Sequence, residues 1–576
     1  MNQTAVKNNY PALYTLVVVY FFWGFFAAGN SIFIPFCKAF FHLDQFQSQL
    51  IDFSFYSAYY FGALILFIWS SLKRRDLVTK WGFKNSIVYG LLFSALGAGA
   101  MILAVKTSGY TALLIGLFIV ALGFSLQQIA ANPLAIALGN PKTGTSRVSL
   151  VGGVNSLGAT IGPLLMAFAL FGTTQSLTDD QIQHLNLDKM IGLYAIIGGL
   201  FIMAASLFFF SKKIPSGKNT EIIEPAQKAI RLLLSMTILL IVIFIPVFGT
   251  YNSVENHKIE ILTQQKQELS KNKVSDLQFE MQNLENQINE LKKPLENKRI
   301  LLLSVALIII AGSIGYAYIK SRKNKAGWGA MQYPQLLLGM FAIFAYVGVE
   351  VGIGSNLGEL LRLEEFDSLQ SAEIAPYISM YWGSLMIGRW AGAVSVFKMS
   401  QKQRITALIT VPFLAYGFVI GANILAGNDV KPLYYYSICV VLQIIMSFWS
   451  QDKSAKTMIV FSLFGVLAML FGLFSTGIVA IYAFLAGGLA CSVLWPAIFN
   501  IAIMGLGKYT AQGSSFLIMM ILGGGIIPPI QGKIADILGV HQSYIVGVFC
   551  FAYLLLFGII AKKVLKEQNI AVDQLT

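Results

Sequence analysis

The chain has 576 residues, of which 56% are hydrophobic and only 12% charged, with a mean hydropathy of +0.68 and a formal net charge of +14. A water-soluble protein carries about 25% charged residues, so too few are present to coat the several domains this length would make. An ordinary soluble enzyme, a disordered chain and a secreted disulfide scaffold are excluded, and an all-α polytopic membrane protein remains. The positive charge is not read as a nucleic-acid signal, because Lys and Arg stand in short clusters between apolar runs, as cytoplasmic loops do.

A hydrocarbon core about 30 Å thick needs roughly 20 apolar residues per helix. The first third of the chain supplies six such runs, about Pro11–Pro35, Gln49–Leu72, Lys84–Val105, Thr111–Leu138, Val148–Phe171 and Lys189–Phe210. Ala27-Ala28-Gly29 faintly resembles a signal-peptidase site, but the run before it is long enough to span, so it reads as a retained first helix. Loops at Lys73–Lys84, Lys142–Arg147 and Lys212–Arg231 are basic, whereas Lys106–Tyr110 and Gly172–Asp188 are neutral or acidic. The positive-inside rule then places the N-terminus and the basic loops in the cytoplasm.

A linker begins at Pro215-Ser216-Gly217. Leu232–Val247 is a further span, followed by about fifty polar residues, a second span at Ile300–Ile319 and the basic stretch Lys320–Lys325. Basic clusters outside both spans put the polar segment on the opposite, periplasmic face. Within it Leu277, Met281, Leu284, Ile288, Leu291 and Leu295 alternate in steps of four and three, the a/d spacing of a coiled coil. Ile259, Leu262 and Leu269 mark an earlier helix, with Ser270–Lys273 as the turn. The expectation is an antiparallel hairpin; a single helix, or one that pairs with a protein partner through residues 251–299, is the alternative. The last part offers eight spans, about Pro334–Leu361, Ile374–Phe397, Ile405–Leu425, Leu433–Phe448, Met458–Phe474, Gly477–Ile503, Ser514–Ile534 and Ser543–Lys562. Symmetry with the first six wants only six.

Polar groups in hydrocarbon are costly and must find partners or a water-filled cavity. Asn30, Gln127, Gln128, Asn132, Asn155, Glu350 and Asn356 all fall inside expected spans. Amides donate and accept together, which suits the hydroxyls of a neutral sugar; a bond between two helices is the alternative for each. Trp382 and Trp495 offer apolar faces for a sugar ring or pack in the bundle. Of the acids, Asp52 and Glu359 lie near span ends and Glu350 is the deepest. A buried carboxylate resists ionisation unless a cation balances it, the physics of a proton site or a sodium ligand; a neutral Glu touching sugar is the alternative. Arg389 stands at the inner end of its span, where a gate contact with a loop acid is expected. The four histidines lie near loops, so a histidine relay is not expected. Cys37, Cys439, Cys491 and Cys550 have no metal spacing, and no phosphate loop marks an ATP motor.

Several segments resemble one family. Gln128-Ile-Ala-Ala-Asn132-Pro133, Asn155-Ser-Leu-Gly158, Tyr346-Val-Gly-Val-Glu350-Val-Gly-Ile-Gly-Ser355, Tyr381-Trp-Gly-Ser-Leu-Met-Ile-Gly388-Arg389, Trp495-Pro496-Ala-Ile-Phe-Asn500 and Gly523-Gly-Gly-Ile-Ile-Pro-Pro529 resemble, in order, helices of the fucose:proton symporter family of the major facilitator superfamily, most closely its glucose/galactose-type branch. The resemblance covers about Tyr10–Lys213, Tyr333–Phe397 and Thr457–Lys563. It implies two six-helix halves around a central sugar cavity that alternates between faces, plus two extra helix pairs, about sixteen spans in all. The implied division is 1–213, an insert at 214–331, and 332–576 with the second extra pair near 398–456. The family's first-helix acid and fourth-helix Glu fall on Ser31 and Gln128, neither of which titrates, so its proton route does not carry over. These motifs imply a bacterial inner-membrane importer of a neutral hexose such as glucose, galactose or fucose, without cofactor or metal, driven by H+ or Na+ through Glu350 and Asp52. A sugar uniporter, a non-transporting sensor or assembly subunit, and a carrier of peptidoglycan fragments are the alternatives.

Overall fold

The computed structural model describes residues 8–40, 45–107, 110–172, 188–251, 253–271, 278–369, 371–450 and 453–570, without the side chains of 29–50, of Asp52, or of 142, 163–164, 167, 170–171, 188, 251, 267–268, 270–271, 278 and 371–372. Every regular element among them is helical. The first half consists of α1 (Tyr10–Phe40), α2 (Gln45–Leu72), α3 (Phe83–Lys106), α4 (Tyr110–Ala137), α5 (Gly144–Phe171) and α6 (Asp188–Phe210). An inserted section follows, with α7 (Gln227–Tyr251), α8 (Val254–Lys271) and α9 (Gln278–Lys323). The second half holds α10 (Pro334–Leu361), α11 (Ser371–Ala393), α12 (Gln401–Leu425), α13 (Ser437–Ser450) and α14 (Ser454–Leu473). It closes with the broken spans α15–α16 (Gly477–Cys491, Leu494–Ile503) and α17–α18 (Thr510–Met519, Gly523–Leu538), then α19 (Ile545–Glu567).

Fourteen helices among the described residues are long and apolar enough to cross a membrane, against the sixteen expected. The two that fall outside this set are α5 and α11. For α11 the reason is chemical, whereas in α5 several residues of the apolar second part lie outside the described side chains. Both are rich in Ser and Gly, and each carries a buried arginine, Arg147 on α5 and Arg389 on α11. They pack on each other across the middle of the molecule, and the second part of α5 also exposes Leu165 and Phe168.

Within the first half α1 and α5 approach to backbone contact. A Cβ on Gly158 would lie 2.4 Å from the Phe21 carbonyl oxygen, so only glycine fits there. The close approach lets the Asn155 amide donate to the Tyr20 carbonyl at 3.0 Å. Arg147 closes the end of α4: its Nε donates to the Ala135 carbonyl at 2.9 Å and its Nη1 to the Asn140 carbonyl at 2.9 Å, a cation set on a helix C-terminus.

The halves meet at the end of the bundle that carries the basic loops. There Asn8 Nδ2 donates to the Val396 carbonyl at 2.7 Å, and Thr145 shares a 2.6 Å hydrogen bond with Ser454. A third contact starts from the sequence of α4. Pro133 has no N–H, which frees the carbonyl four residues back at Ile129. Ser514 of α17 donates to that carbonyl at 2.9 Å, so a proline in one half creates the acceptor that docks the other.

The insert stands across the seam. On α7, Thr237 bonds Tyr60 of α2 at 2.7 Å and Phe248 packs on Phe53. On its other side α9 packs against α10 and α18. The second arm of the expected hairpin and the following span are one helix of 46 residues, about 70 Å long at 1.5 Å per residue, so its polar first part projects beyond a bilayer. The arm α8 packs along it, with Lys266 3.1 Å from Glu285; Leu277 and the expected turn at 272–273 lie outside the described residues. At the base of the hairpin Glu296 meets Lys533 of α18 at 2.6 Å. The outer faces of the added pairs expose Ile238 and Ile245 on α7 and Leu414 and Ile445 on α12 and α13, surface suited to lipid tails.

Candidate functional site

The mid-span polar residues separate into two groups once the helices are in place. Gln127 and Gln128 are neighbours on α4, and consecutive helical positions point about 100° apart. Gln127 is fully buried, accepts from Trp23 Nε1 at 2.9 Å and donates to Ser94 at 3.0 Å. It turns into its own half. Gln128 is partly exposed and donates to Tyr59 at 3.2 Å. Asn132, also buried, accepts from Tyr20 at 2.6 Å and donates to the Gln128 carbonyl at 3.0 Å. The carbonyl that Pro133 frees is therefore not bound by Asn132 but by Ser514.

Glu350 stands on α10 opposite α5, partly exposed among buried neighbours. Its Oε1 accepts from Tyr346 at 2.9 Å and from Arg389 Nη2 at 3.4 Å. Arg389 lies four positions before the end of α11, buried, and its partner is not the loop acid expected from the sequence. The physical reason is the close packing of α11 on the broken span, where a Cβ on Gly388 would lie 1.8 Å from Ser492 Oγ: it sets the next residue, Arg389, beside the Ser492 carbonyl in the interior. From there Nε donates to the Ser492 carbonyl at 3.3 Å and Nη2 to Tyr346 at 3.2 Å. Nη1 reaches the other half, donating to Ser156 at 2.8 Å and to Asn155 Oδ1 and the Gly152 carbonyl at 3.5 Å each. The adjacent Trp390 donates to the Gly153 carbonyl at 3.2 Å.

Of the expected site residues, the structure brings Asn155 and Glu350 together through Arg389. Trp495 adjoins them, its ring 5.8 Å from that of Tyr346. Trp382 lies on α11 against Gly354 and Tyr381, and Tyr381 donates to the Glu350 backbone carbonyl at 2.6 Å. Asn356 donates to its own helix at Gly352, 2.9 Å away. The side chains of Asn30 and Asp52, expected at the sugar and ion sites, lie outside the described residues. Sequence reasoning missed Arg389, Tyr346 and Ser156 as parts of the site. The available signal was a carboxylate and a guanidinium both placed in spans, since each is costly alone and the pair is not. No group of three or more His, Cys, Asp or Glu residues among those described is arranged to hold a metal ion. Cys439, Cys491 and Cys550 are buried free thiols, and Cys37 lies outside the described side chains.

What the arrangement can do is bind a polar, uncharged molecule between two helical halves and let the halves move about it. The model of the Major Facilitator Superfamily matches residues 16–439. The chain belongs to that superfamily. Among curated relatives of this superfamily member, the glucose/galactose transporter of Brucella abortus (strain 9-941) is 26% identical over 562 residues, covering 97% of both chains. The L-fucose-proton symporter of Escherichia coli K12 is 24% identical over 551 residues, covering 94% of this chain and 91% of that one. Among solved structures, the crystal structure of a point variant of the E. coli fucose:proton symporter superposes with a TM-score of 0.57 at 20% identity, over 96% of this chain and 99% of that one. The shared fold is that of the superfamily.

Proposed function

We propose that the protein imports a neutral hexose across a bacterial inner membrane by alternating access, the two halves rocking about a site on the seam. The observation that carries this is the set of partly exposed mid-span groups from both halves, Asn155 joined through Arg389 to Glu350 with Trp495 beside Tyr346, in a chain related along nearly its whole length to proteins named as glucose/galactose transporters. Amide groups bind sugar hydroxyls as donor and acceptor at once, and the tryptophan supplies the apolar contact a ring face needs. Gln127 and Asn132 hold the helices that present this surface.

The basic loops lie at the closed end of the bundle, and the positive-inside rule puts that end, with the N-terminus, in the cytoplasm. The site then opens outward. The division at 1–213, 214–331 and 332–576 follows the two halves and the insert, and the insert's two spans return the chain to the same side.

Glu350 is the coupling group of this reading. Its carboxylate is balanced by Arg389, so the pair carries no net charge into the bilayer, and a proton on Glu350 changes that balance. The driving ion is H+, the cation named for the relatives called fucose-proton symporters. The test is uptake of labelled glucose, galactose and fucose by proteoliposomes with an imposed pH gradient, a Na+ gradient or none. Accumulation is expected only with the inward proton gradient, and Glu350→Gln should exchange sugar across the membrane without accumulating it. A Glu350→Gln protein that still concentrates sugar removes Glu350 from the coupling role, and no uptake of any sugar removes the transport reading.

A further inference from the structure

We propose that Arg389 is the latch that holds the two halves closed at the basic end, and that Asn155 ties release of the latch to occupancy by sugar; the second clause rests on the proposed hexose site, the first does not. A guanidinium carries five N–H donors in a planar fork. Here the fork is divided between the halves. Nε and Nη2 are fixed on the second half by the Ser492 carbonyl, Tyr346 and Glu350, while Nη1 is directed at the first half, to Ser156, Asn155 and the Gly152 carbonyl.

The division of charge follows the division of the fold. Arg389 and Glu350 belong to the same half, so their ion pair persists when α5 and α11 separate. The bonds lost are those to neutral acceptors on α5, and these can be exchanged for water. A cross-half ion pair would leave two bare charges on opening; this arrangement leaves none. The latch is therefore one that can open repeatedly. Trp390 on the Gly153 carbonyl and Ser514 on the proline-freed Ile129 carbonyl close the same seam with neutral donors, so Arg389 is the one ionised donor among these contacts.

Asn155 occupies both sites. Its Nδ2 is held by the Tyr20 carbonyl at 3.0 Å, which leaves Oδ1 shared between Arg389, at 3.5 Å, and the open side of the seam, where the side chain is partly exposed. A sugar hydroxyl donating to Oδ1 competes with that long contact and weakens the hold of Nη1 on α5. Binding then favours the opening that carries the sugar inward, since a ligand shifts an equilibrium by its differential contacts with the two states. Arg389 is on this account a positioning residue: it sets which end is open and need not touch sugar.

The test uses the purified full-length chain with Ser454→Cys as reporter, since Ser454 is buried at the closed end against Thr145 and Asn500, and its labelling by a maleimide reports opening. The parent should label slowly and faster with saturating D-glucose or D-galactose. Arg389→Gln should label about tenfold faster without sugar, the worth of one hydrogen bond to a charged group, and gain little more with it. Arg389→Lys, which keeps the charge beside Glu350 but not the fork, should fall between. Ser156→Ala shortens the latch from the other half and should speed labelling several-fold, which serves if Arg389→Gln does not fold. Asn155→Ala should leave the response to sugar small. If Arg389→Gln and Ser156→Ala both label at the parental rate, the latch is overturned. A parent that ignores every sugar, with a fast Arg389→Gln, keeps the latch and removes the hexose reading with the role of Asn155.

Discussion

In the first half the mid-span polar groups are neutral and bind one another: Trp23 and Ser94 hold Gln127, Tyr20 holds Asn132, Tyr59 holds Gln128. In the second half the corresponding region carries a full ion pair, Glu350 with Arg389, and one of its members reaches across the seam. The difference teaches what each chemistry is suited to. An amide has few bonds to make and two helices exhaust them, which fixes packing. A guanidinium has donors left after its own half is served, and those donors act on the neighbour.

The largest expected effect tests whether the first half is as rigid as its neutral network implies. Gly158→Leu places a side chain where the Phe21 carbonyl lies 2.4 Å from any Cβ. Backbone cannot yield cheaply, so the loss should be about 3 kcal/mol or more, seen as a collapse of the melting temperature and of monodisperse protein in detergent; a variant as stable as the parent would show that α1 and α5 are loosely joined.

The second prediction concerns Asp76, a buried acid of the first half that lies outside the spans. Asp76 caps the short helix Leu77–Trp81, accepting from the Thr79 N–H at 3.0 Å. Burial raises its pKa to about 6 against the opposing hydrogen bonds from Thr79 and Val78. Because the folded value lies above the unfolded one, the group stabilises the fold most when protonated. That stability is fully present below about pH 4 and is lost as the pH rises to about 6, by an amount on the order of 2–3 kcal/mol. Asp76→Asn keeps a capping side chain and should remove this slope. Parallel melting curves of the two proteins between pH 4 and 7 would place the acid in water instead.

The smallest effect separates two adjacent residues. Gln127→Ala leaves Trp23 Nε1 without its buried acceptor, while Ser94 keeps its bond to the Val120 carbonyl, and should cost about 2 kcal/mol with the sugar KM unchanged. Gln128→Ala should raise the KM several-fold and, since it removes one neutral hydrogen bond to the buried Tyr59 hydroxyl, cost only about 1 kcal/mol. The reverse pattern would exchange the roles assigned to the two positions.

Much of the architecture is legible in the chain. Apolar runs of span length, basic loops on alternate sides and the ordered motifs point to the two halves and to the insert. A hydropathy threshold alone passes over α11, because it packs against α5, carries Arg389 and does not need the hydropathy that lipid demands. The coiled-coil pattern marks a helix correctly, but its periodicity carries no information that α9 continues unbroken into the membrane. The candidate residues were legible as a list of polar groups in hydrocarbon, and only their directions were not: a rotation of about 100° between Gln127 and Gln128 decides which serves packing and which faces the seam.

The sequence by itself determined that this chain lives in a membrane, which runs cross it and which polar residues must be answered there, since burial of polar groups in hydrocarbon is a local cost that each residue carries with it. The tertiary structure decided who answers whom. Glu350 and Arg389 are 39 positions apart and Arg389 and Ser156 are 233 apart, and no periodicity links them. Only the packing of Gly388 on Ser492, and of α5 on α11, brings a second-half guanidinium to a first-half serine. That step joins two separately legible halves into one molecule that can open and close.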